Sequence, residues 1–269
     1  MRKVLALVRA SWLAAASYRL RSVMSLISLL VVVVPIYYIS NAIQPIMGSK
    51  IATQGDQYFG FLLVGMMALS FLTASLNTLP SSLSAGIANG TLEAMLSTPT
   101  RVPTLLGGLM GYAFLWTTFR AIVLLSAGLA FGAHYAWGNV LPSALILVLI
   151  VLAHLPVGII AGAFVLGFRA AGPLPQIVLV LSGLLGGVYY PTHVIPEEIK
   201  GIRQLADFMP LTYGLRALRR TLLEGWSLGD VSRDLGILLV FIAVLMAVSI
   251  YIFSYSLRYA RRAGNLAQY

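Results

Sequence analysis

The chain has 269 residues, 59% of them hydrophobic and only 10% charged, with a formal net charge of +10 and a mean hydropathy of +0.90. Soluble domains carry about 25% charged residues, so this composition excludes one and points to apolar runs of about 20 residues that cross a bilayer. The absence of cysteine excludes disulfides, thiolate metal sites and a cysteine nucleophile.

Residues 1–22 are too polar to cross. Leu5, Val8 and Trp12 share one helical face, and Arg2, Arg9, Arg19 and Arg21 are available for lipid phosphates, which predicts an interfacial helix. The first apolar run begins near residue 23, late for a signal peptide, and no small-residue cleavage site follows it, so the mature chain is expected to begin at Met1. Span one is expected over 23–43, with Pro35 inside it, and an outer loop over 44–57 leads to span two over 58–79.

A short polar island follows, Ala88-Asn-Gly-Thr-Leu-Glu-Ala-Met-Leu-Ser-Thr-Pro-Thr-Arg-Val-Pro-Thr-Leu-Leu-Gly-Gly108. Asn89 and Gly90 suit a helix start, and Glu93 in the first turn complements the helix dipole. Leu92, Met95 and Leu96 share one face while Glu93 and Ser97 share another. Pro99 stops the helix and Pro103 opens the next one. This predicts an amphipathic helix over 86–98 that serves as a docking surface between two spans.

Span three is expected over 104–131, a tight outer turn at 134–139, span four over 140–167 with Pro156 inside it, an inner turn around Arg169, and span five over 174–190. Pro196 with Glu197 and Glu198 starts a short helix. After Pro210, Leu211, Leu215, Leu218 and Leu222 line one face, with Arg216, Arg219 and Arg220 opposite. Both helices of 191–222 are too short to cross, so they either lie flat on the outer surface or dip in and return. Trp226 suits the outer interface, and span six is expected over 235–257.

Two stretches carry a family resemblance. Gly90-Thr-Leu-Glu-Ala-Met-Leu-Ser-Thr-Pro99 followed by Leu105-Leu-Gly resembles the coupling-helix region of ABC-2-type transporter permeases, the membrane half of ATP-driven exporters. Gly187-Val-Tyr-Tyr-Pro191 with Pro196 and Pro210-Leu-Thr-Tyr-Gly-Leu-Arg-Ala-Leu-Arg219 resembles that family's segment before its last span. With the six-span layout, the resemblance covers nearly the whole chain.

Lysine and arginine placement sets the topology. With the N-terminus inside, inner segments hold ten basic residues against Glu93 alone, while outer segments hold seven basic and seven acidic residues. Both termini are therefore expected in the cytoplasm of a bacterial inner membrane. The positive charge serves membrane anchoring and gives no reason to invoke nucleic acid.

No GxxxxGK[ST] occurs, so the chain lacks that route to a nucleotide phosphate. Leu181-Ser-Gly-Leu-Leu-Gly-Gly187 superficially resembles the ATPase signature but lies in span five, where small residues pack helices. Within the expected spans only Arg120 and His154 are ionisable, and intramembrane ionisable groups are functional candidates. Arg120 is either tied to carbonyls or faces substrate; His154 is expected to bond a neighbouring helix. Tyr37, Tyr38, Tyr189 and Tyr190 read as interfacial belt aromatics, with a substrate path as the other reading. Arg216, Arg219 and Arg220 are placed for the phosphate of an emerging lipid or for outer headgroups. The three histidines lack ligand spacing, so no metal site is expected.

The expectation is thus a single all-α membrane domain over 1–269: six transmembrane helices, an N-terminal interfacial helix, a cytoplasmic coupling helix and re-entrant or outer helices between spans five and six. The resemblance implies a permease without catalysis of its own, paired with a second permease copy or paralogue. It also implies a cytoplasmic ABC ATPase dimer that binds ATP and Mg, no cofactor in this chain, and lipids around it. Thr91, Leu92, Glu93, Met95 and Leu96 are the expected docking residues, and Arg120, Tyr190, Tyr213 and Leu215 the expected pathway or gate. Small outer loops favour export, with a drug, a lipid or a lipid-linked glycan as cargo. An ion-coupled carrier is disfavoured by spans without carboxylates. A membrane-embedded enzyme is disfavoured by the lack of a catalytic constellation at membrane depth.

Overall fold

Apolar periodicity becomes helix throughout. The computed structural model describes residues 19–91, 102–168, 170–195 and 200–262, and these residues form helices without strand. In order they are α1 (Arg19–Ile51), α2 (Tyr58–Ala88), α3 (Val102–Ala130), α4 (Val140–Phe168), α5 (Leu174–Leu185), α6 (Lys200–Asp207), α7 (Pro210–Glu224) and α8 (Ser232–Arg262). Single 3₁₀ turns lie at Trp137–Asn139 and Thr192–Val194.

Among the described residues, α1, α2, α3, α4 and α8 are the five helices long and apolar enough to cross a bilayer. The span expected over 174–190 is shorter: α5 has 12 residues, or about 18 Å at 1.5 Å per residue. Gly186 and Gly187 end it, and Gly187 takes φ +83°, where a Cβ would be strained.

Three other boundaries shift. Arg19–Ser22 open α1, and the rest of the expected interfacial helix, 1–18, lies outside the described residues. The loop expected over 44–57 is helical to Ile51, because Gln44 closes a tight turn. Its amide donates to the Asp56 carbonyl at 2.9 Å, and its Oε1 accepts from the Tyr58 N–H at 2.6 Å, satisfying one free donor at the start of α2. At its other end α2 continues to Ala88, where the Asn89 N–H bonds the Ala85 carbonyl and Gly90 takes φ +68°. Asn89 and Gly90 therefore end α2, and residues 86–88 of the expected docking helix belong to α2. Thr91 donates its hydroxyl to the Gly86 carbonyl at 3.4 Å, while Leu92, Glu93, Met95 and Leu96 lie outside the described residues.

The packing axis is α2, buried along most of its length against α1, α3, α4, α5 and α7. Its polar side chains fit there because Ser70, Thr73 and Ser75 return their hydroxyls to the carbonyls of Met66, Leu69 and Phe71. Helix α4 runs parallel to α2, with Gly158 directly on the Ser75 carbonyl and Gly162 against Leu79 and Leu83. Such small residues let backbones approach where lipid offers no hydrophobic drive for association. Helix α8 packs along α4, where Ser256 donates to the Ala163 carbonyl at 2.5 Å. One core gathers Leu63, Leu72, Ile146, Ile150, Leu215 and Leu218; a second, nearer the other end, gathers Leu79, Leu83, Leu166 and Leu257. The end carrying residues 52–57, 131–139 and 225–231 is termed the turn end below.

Gly158→Leu should force α2 and α4 apart, because any side chain there meets the Ser75 carbonyl. Overpacking of this kind costs about 1–3 kcal/mol, so the thermal midpoint in detergent should fall. Gly201→Ala, which opens onto free space on α6, should leave it unchanged.

Candidate functional site

The segment from α5 to α7 is where sequence and membrane geometry conflict, since neither helix crosses alone. Helix α5 follows α4 from the end opposite the turns and stops at Leu185. Helix α7 begins beside it: Gly186 lies against Leu211, and the Ser182 hydroxyl is 3.9 Å from the Met209 sulfur. Gly214 sits on Ile150, ten residues into α4, or about 15 Å below the start of that helix. At its other end α7 reaches the turns, with the Ala136 N–H donating to the Leu222 carbonyl at 2.8 Å. Helix α7 is thus buried within the bundle, against α2 and α4. Leu211, Leu215, Leu218 and Leu222 are all buried, as their spacing predicts.

Non-helical backbone at such depth requires protein partners, and Arg219 supplies them. This residue is 1% exposed and lies on the buried side of α7, so the expectation that it faces away from the leucines is corrected. Its Nη1 donates to the Gly187 carbonyl at 2.6 Å, and its Nη2 to the Val188 carbonyl at 2.8 Å and the Phe61 carbonyl at 3.0 Å. Its Nε donates to the same Phe61 oxygen at 3.2 Å, and the guanidinium lies 3.3 Å from the centre of the Phe61 ring. The Phe61 carbonyl is reachable because the residue one turn on is Gly65. A Cβ there would sit 2.5 Å from the Val188 carbonyl and 2.7 Å from Arg219 Nη2.

The other two arginines are also committed internally, so the expected role in binding an emerging lipid phosphate is not what their geometry presents. Arg216 makes a two-pronged ion pair with the buried Asp234 in the first turn of α8, with Nε to Oδ2 at 2.9 Å and Nη2 on Oδ1. Arg220 lies 3.9 Å from the same carboxylate, donates to the Thr53 carbonyl at 3.3 Å and covers the Trp226 ring at 4.7 Å. Asp234 and Gly65 escaped sequence reasoning. Eighteen residues separate Asp234 from Arg216, but the lone acid beside an apolar run was a signal.

Three of the expected gate residues gather here. Tyr190 donates to the Leu184 carbonyl at 2.6 Å and so caps the end of α5. Tyr213 donates to the Asp207 carbonyl at 3.0 Å, with the Arg216 guanidinium 5.3 Å from its ring and the Phe241 ring 6.3 Å away. Leu215 is buried in the main core. Arg120 stands apart on α3, which packs on α2 and α1, and its enclosed Nε has no hydrogen-bond partner. His154 is fully buried, but its Nδ1 bonds the Ile150 carbonyl of its own helix at 2.8 Å instead of a neighbouring one. Tyr37 joins Phe59 and Phe131 at the turn end, while Tyr38 stays exposed.

The family model described as ABC-2 type transporter matches residues 2–223, and so extends through all but the last residue of α7. Curated relatives include the inner membrane transport permease YadH of Escherichia coli strain K12, 26% identical over 217 residues that make up 79% of this chain and 79% of the relative. YadH proteins of Escherichia coli O157:H7 and Shigella flexneri match to the same extent.

Arg219→Met should strip partners from three buried carbonyls and loosen the α5–α7 hairpin. A buried carbonyl left unpaired costs about 1–3 kcal/mol, so thermal unfolding in detergent should shift far more than for Arg220→Met, which loses a partly exposed contact. Comparable shifts for the two variants would show that Arg219 is not the tie.

Proposed function

This chain belongs to the ABC-2 type transporter family, and on that footing we propose that it is the permease of an ATP-driven exporter for hydrophobic or amphipathic cargo. Membership makes it a membrane permease of a transport system, and it supports a subunit without catalysis of its own that works with an ATPase. The finer reading is that two copies, or this chain and a paralogue, line the path. A cytoplasmic ATPase dimer holds ATP and Mg. The inner-membrane wording in the relatives' name and the basic residues at both ends support a multi-pass inner membrane protein with N- and C-termini inside. On that orientation the turn end faces outward. Helices α5 and α7, meeting tip to tip, together make the fifth of six crossings.

The observation that carries the reading is the reach of α2. It leads into the 86–98 docking segment at one end, and at the other it presents Phe61 and Gly65 to Arg219 and the 186–188 backbone. Its 31 residues form a rod about 46 Å long. ATPase closure pushing on Leu92, Glu93, Met95 and Leu96 would tilt α2 and α3 and shift the acceptor beneath Arg219. The hairpin that carries Tyr190, Tyr213 and Leu215 would then move as an outer gate. Asp234, the one carboxylate on the five long described helices, is held by Arg216, which disfavours ion coupling through it.

The test is ATP-dependent export by the permease–ATPase complex in proteoliposomes. Glu93→Lys should reach the membrane yet lose ATPase binding or substrate-stimulated hydrolysis, and normal coupled export would remove the docking assignment. A cysteine at Tyr213 should change its labelling by a bulky external thiol reagent when hydrolysis is trapped. Identical labelling in every nucleotide state would end the gate reading.

A further inference from the structure

The connection between α6 and α7 lies deep in the bundle, and it carries a carboxylate. The Tyr213 hydroxyl donates to the Asp207 carbonyl at 3.0 Å and the Thr212 hydroxyl to the Ala206 carbonyl at 2.8 Å. Two residues on, the Met209 sulfur meets Ser182 of α5. The next residue of α5, Gly183, faces Leu69, eleven residues into α2, or about 16 Å from the turn end. A second count agrees: Pro210 lies one turn beyond Gly214, which sits on Ile150, so the start of α7 is about 20 Å down.

The turn end exposes Asp56, Asp230 and Trp226, groups that belong at a membrane surface. On the six-crossing reading proposed above, each half of the hydrocarbon core is about 15 Å thick, so Asp207 comes close to the midplane. A carboxylate facing lipid there costs about 2.5–3.5 kcal/mol.

Asp207 is nonetheless exposed. Helix α6 turns Ala206 fully inward and leaves Gln204, Leu205 and Asp207 outward, with Phe208 beside them 69% exposed. The Arg216 and Arg220 ion pairs both go to Asp234. Arg203 precedes Asp207 by four residues on α6, the weaker order for a helical ion pair. This face of α6 therefore suits a space that holds water or a cation, and lipid tails do not fit it.

We propose that Asp207 receives the positive end of an amphipathic organic cation, an amine or onium ion, whose apolar body lies on Leu205 and Phe208. A carboxylate beside an exposed phenyl ring offers such an ion both charge and an aromatic face. The proposal rests on the export reading and narrows its cargo to cationic amphiphiles. Because Tyr213 is tied to the Asp207 carbonyl, the ion would sit directly against the proposed gate.

The full-length protein in lipid nanodiscs tests this with tetraphenylphosphonium and tetraphenylborate, ions of one shape and opposite charge, each measured above its uptake by empty nanodiscs. Tetraphenylphosphonium should bind saturably, and tetraphenylborate should not displace it. Asp207→Asn should weaken that binding about tenfold, as loss of a charge-assisted contact does. Asp207→Glu, which keeps the charge, should hold it within about twofold. Neither change should move the thermal midpoint in detergent, because Tyr213 uses the backbone carbonyl of residue 207. The chain has no native cysteine, so Asp207→Cys should react cleanly with a water-soluble thiosulfonate. Binding that survives Asp207→Asn, preference for the borate, or no saturable binding of either ion would overturn the proposal. So would an Asp207→Cys thiol sealed from the reagent by a second copy. None of these measurements uses ATP, so their failure leaves the export reading standing, and failed export leaves the cation site standing.

Discussion

A guanidinium buried from solvent, with no carboxylate partner among the described residues, governs the architecture of this protein. Arg219 is buried, and desolvating a charge costs several kcal/mol unless hydrogen bonds replace what water supplied. The fold meets that demand with backbone oxygens: two from the chain released after α5 and one from α2. The relation works in both directions. Carbonyls at 187 and 188 lose helical partners where Gly186 and Gly187 break α5, and they would be equally costly unpaired. One side chain with five donors in a rigid fork satisfies both needs, which a lysine ammonium could not do with the same geometry.

From this contact the positions of α5, α7 and α2 become mutually dependent. Gly65 must lack a side chain for Arg219 to reach Phe61, Gly214 must lack one for α7 to lie on Ile150, and Leu215 and Leu218 then fill the core between α2 and α4. Arg216 and Arg220, at the same level of α7, extend the arrangement to α8 and to the connection between α1 and α2. Helix α7 is accordingly a hub with a separate tether to each neighbour.

Much of this was legible in the sequence, and the failures share a physical origin. The long helices, the kink-prone prolines and the leucine face of α7 follow from apolar run length and 3.6-residue periodicity. Sequence reading misjudged the break after α5, because Leu181–Gly187 is as apolar as a span and only the paired glycines interrupt it. It also placed Arg219 among exposed arginines, since periodicity sorts a residue by type and cannot foresee three free carbonyls. Asn89 and Gly90 were read as a start because both residues suit either end of a helix; the positive φ at Gly90 marks the end of α2. Arg120 and His154 were rightly singled out as unusual, yet one is separated from the hairpin and the other bonds its own helix. Intramembrane charge alone does not locate a site.

The distribution of acids constrains how such a protein can be driven. A carrier that runs on protons or sodium needs a carboxylate that can exchange its partner during the cycle. Asp234, the sole acid on the five long described helices, accepts two bonds from one guanidinium and has a second arginine beside it. Releasing it would strand two cations on α7 and unfasten α8. The hairpin's ties through Arg219 are to neutral carbonyls. The element that meets the hairpin at Phe61 and also runs to the opposite end of the bundle is α2.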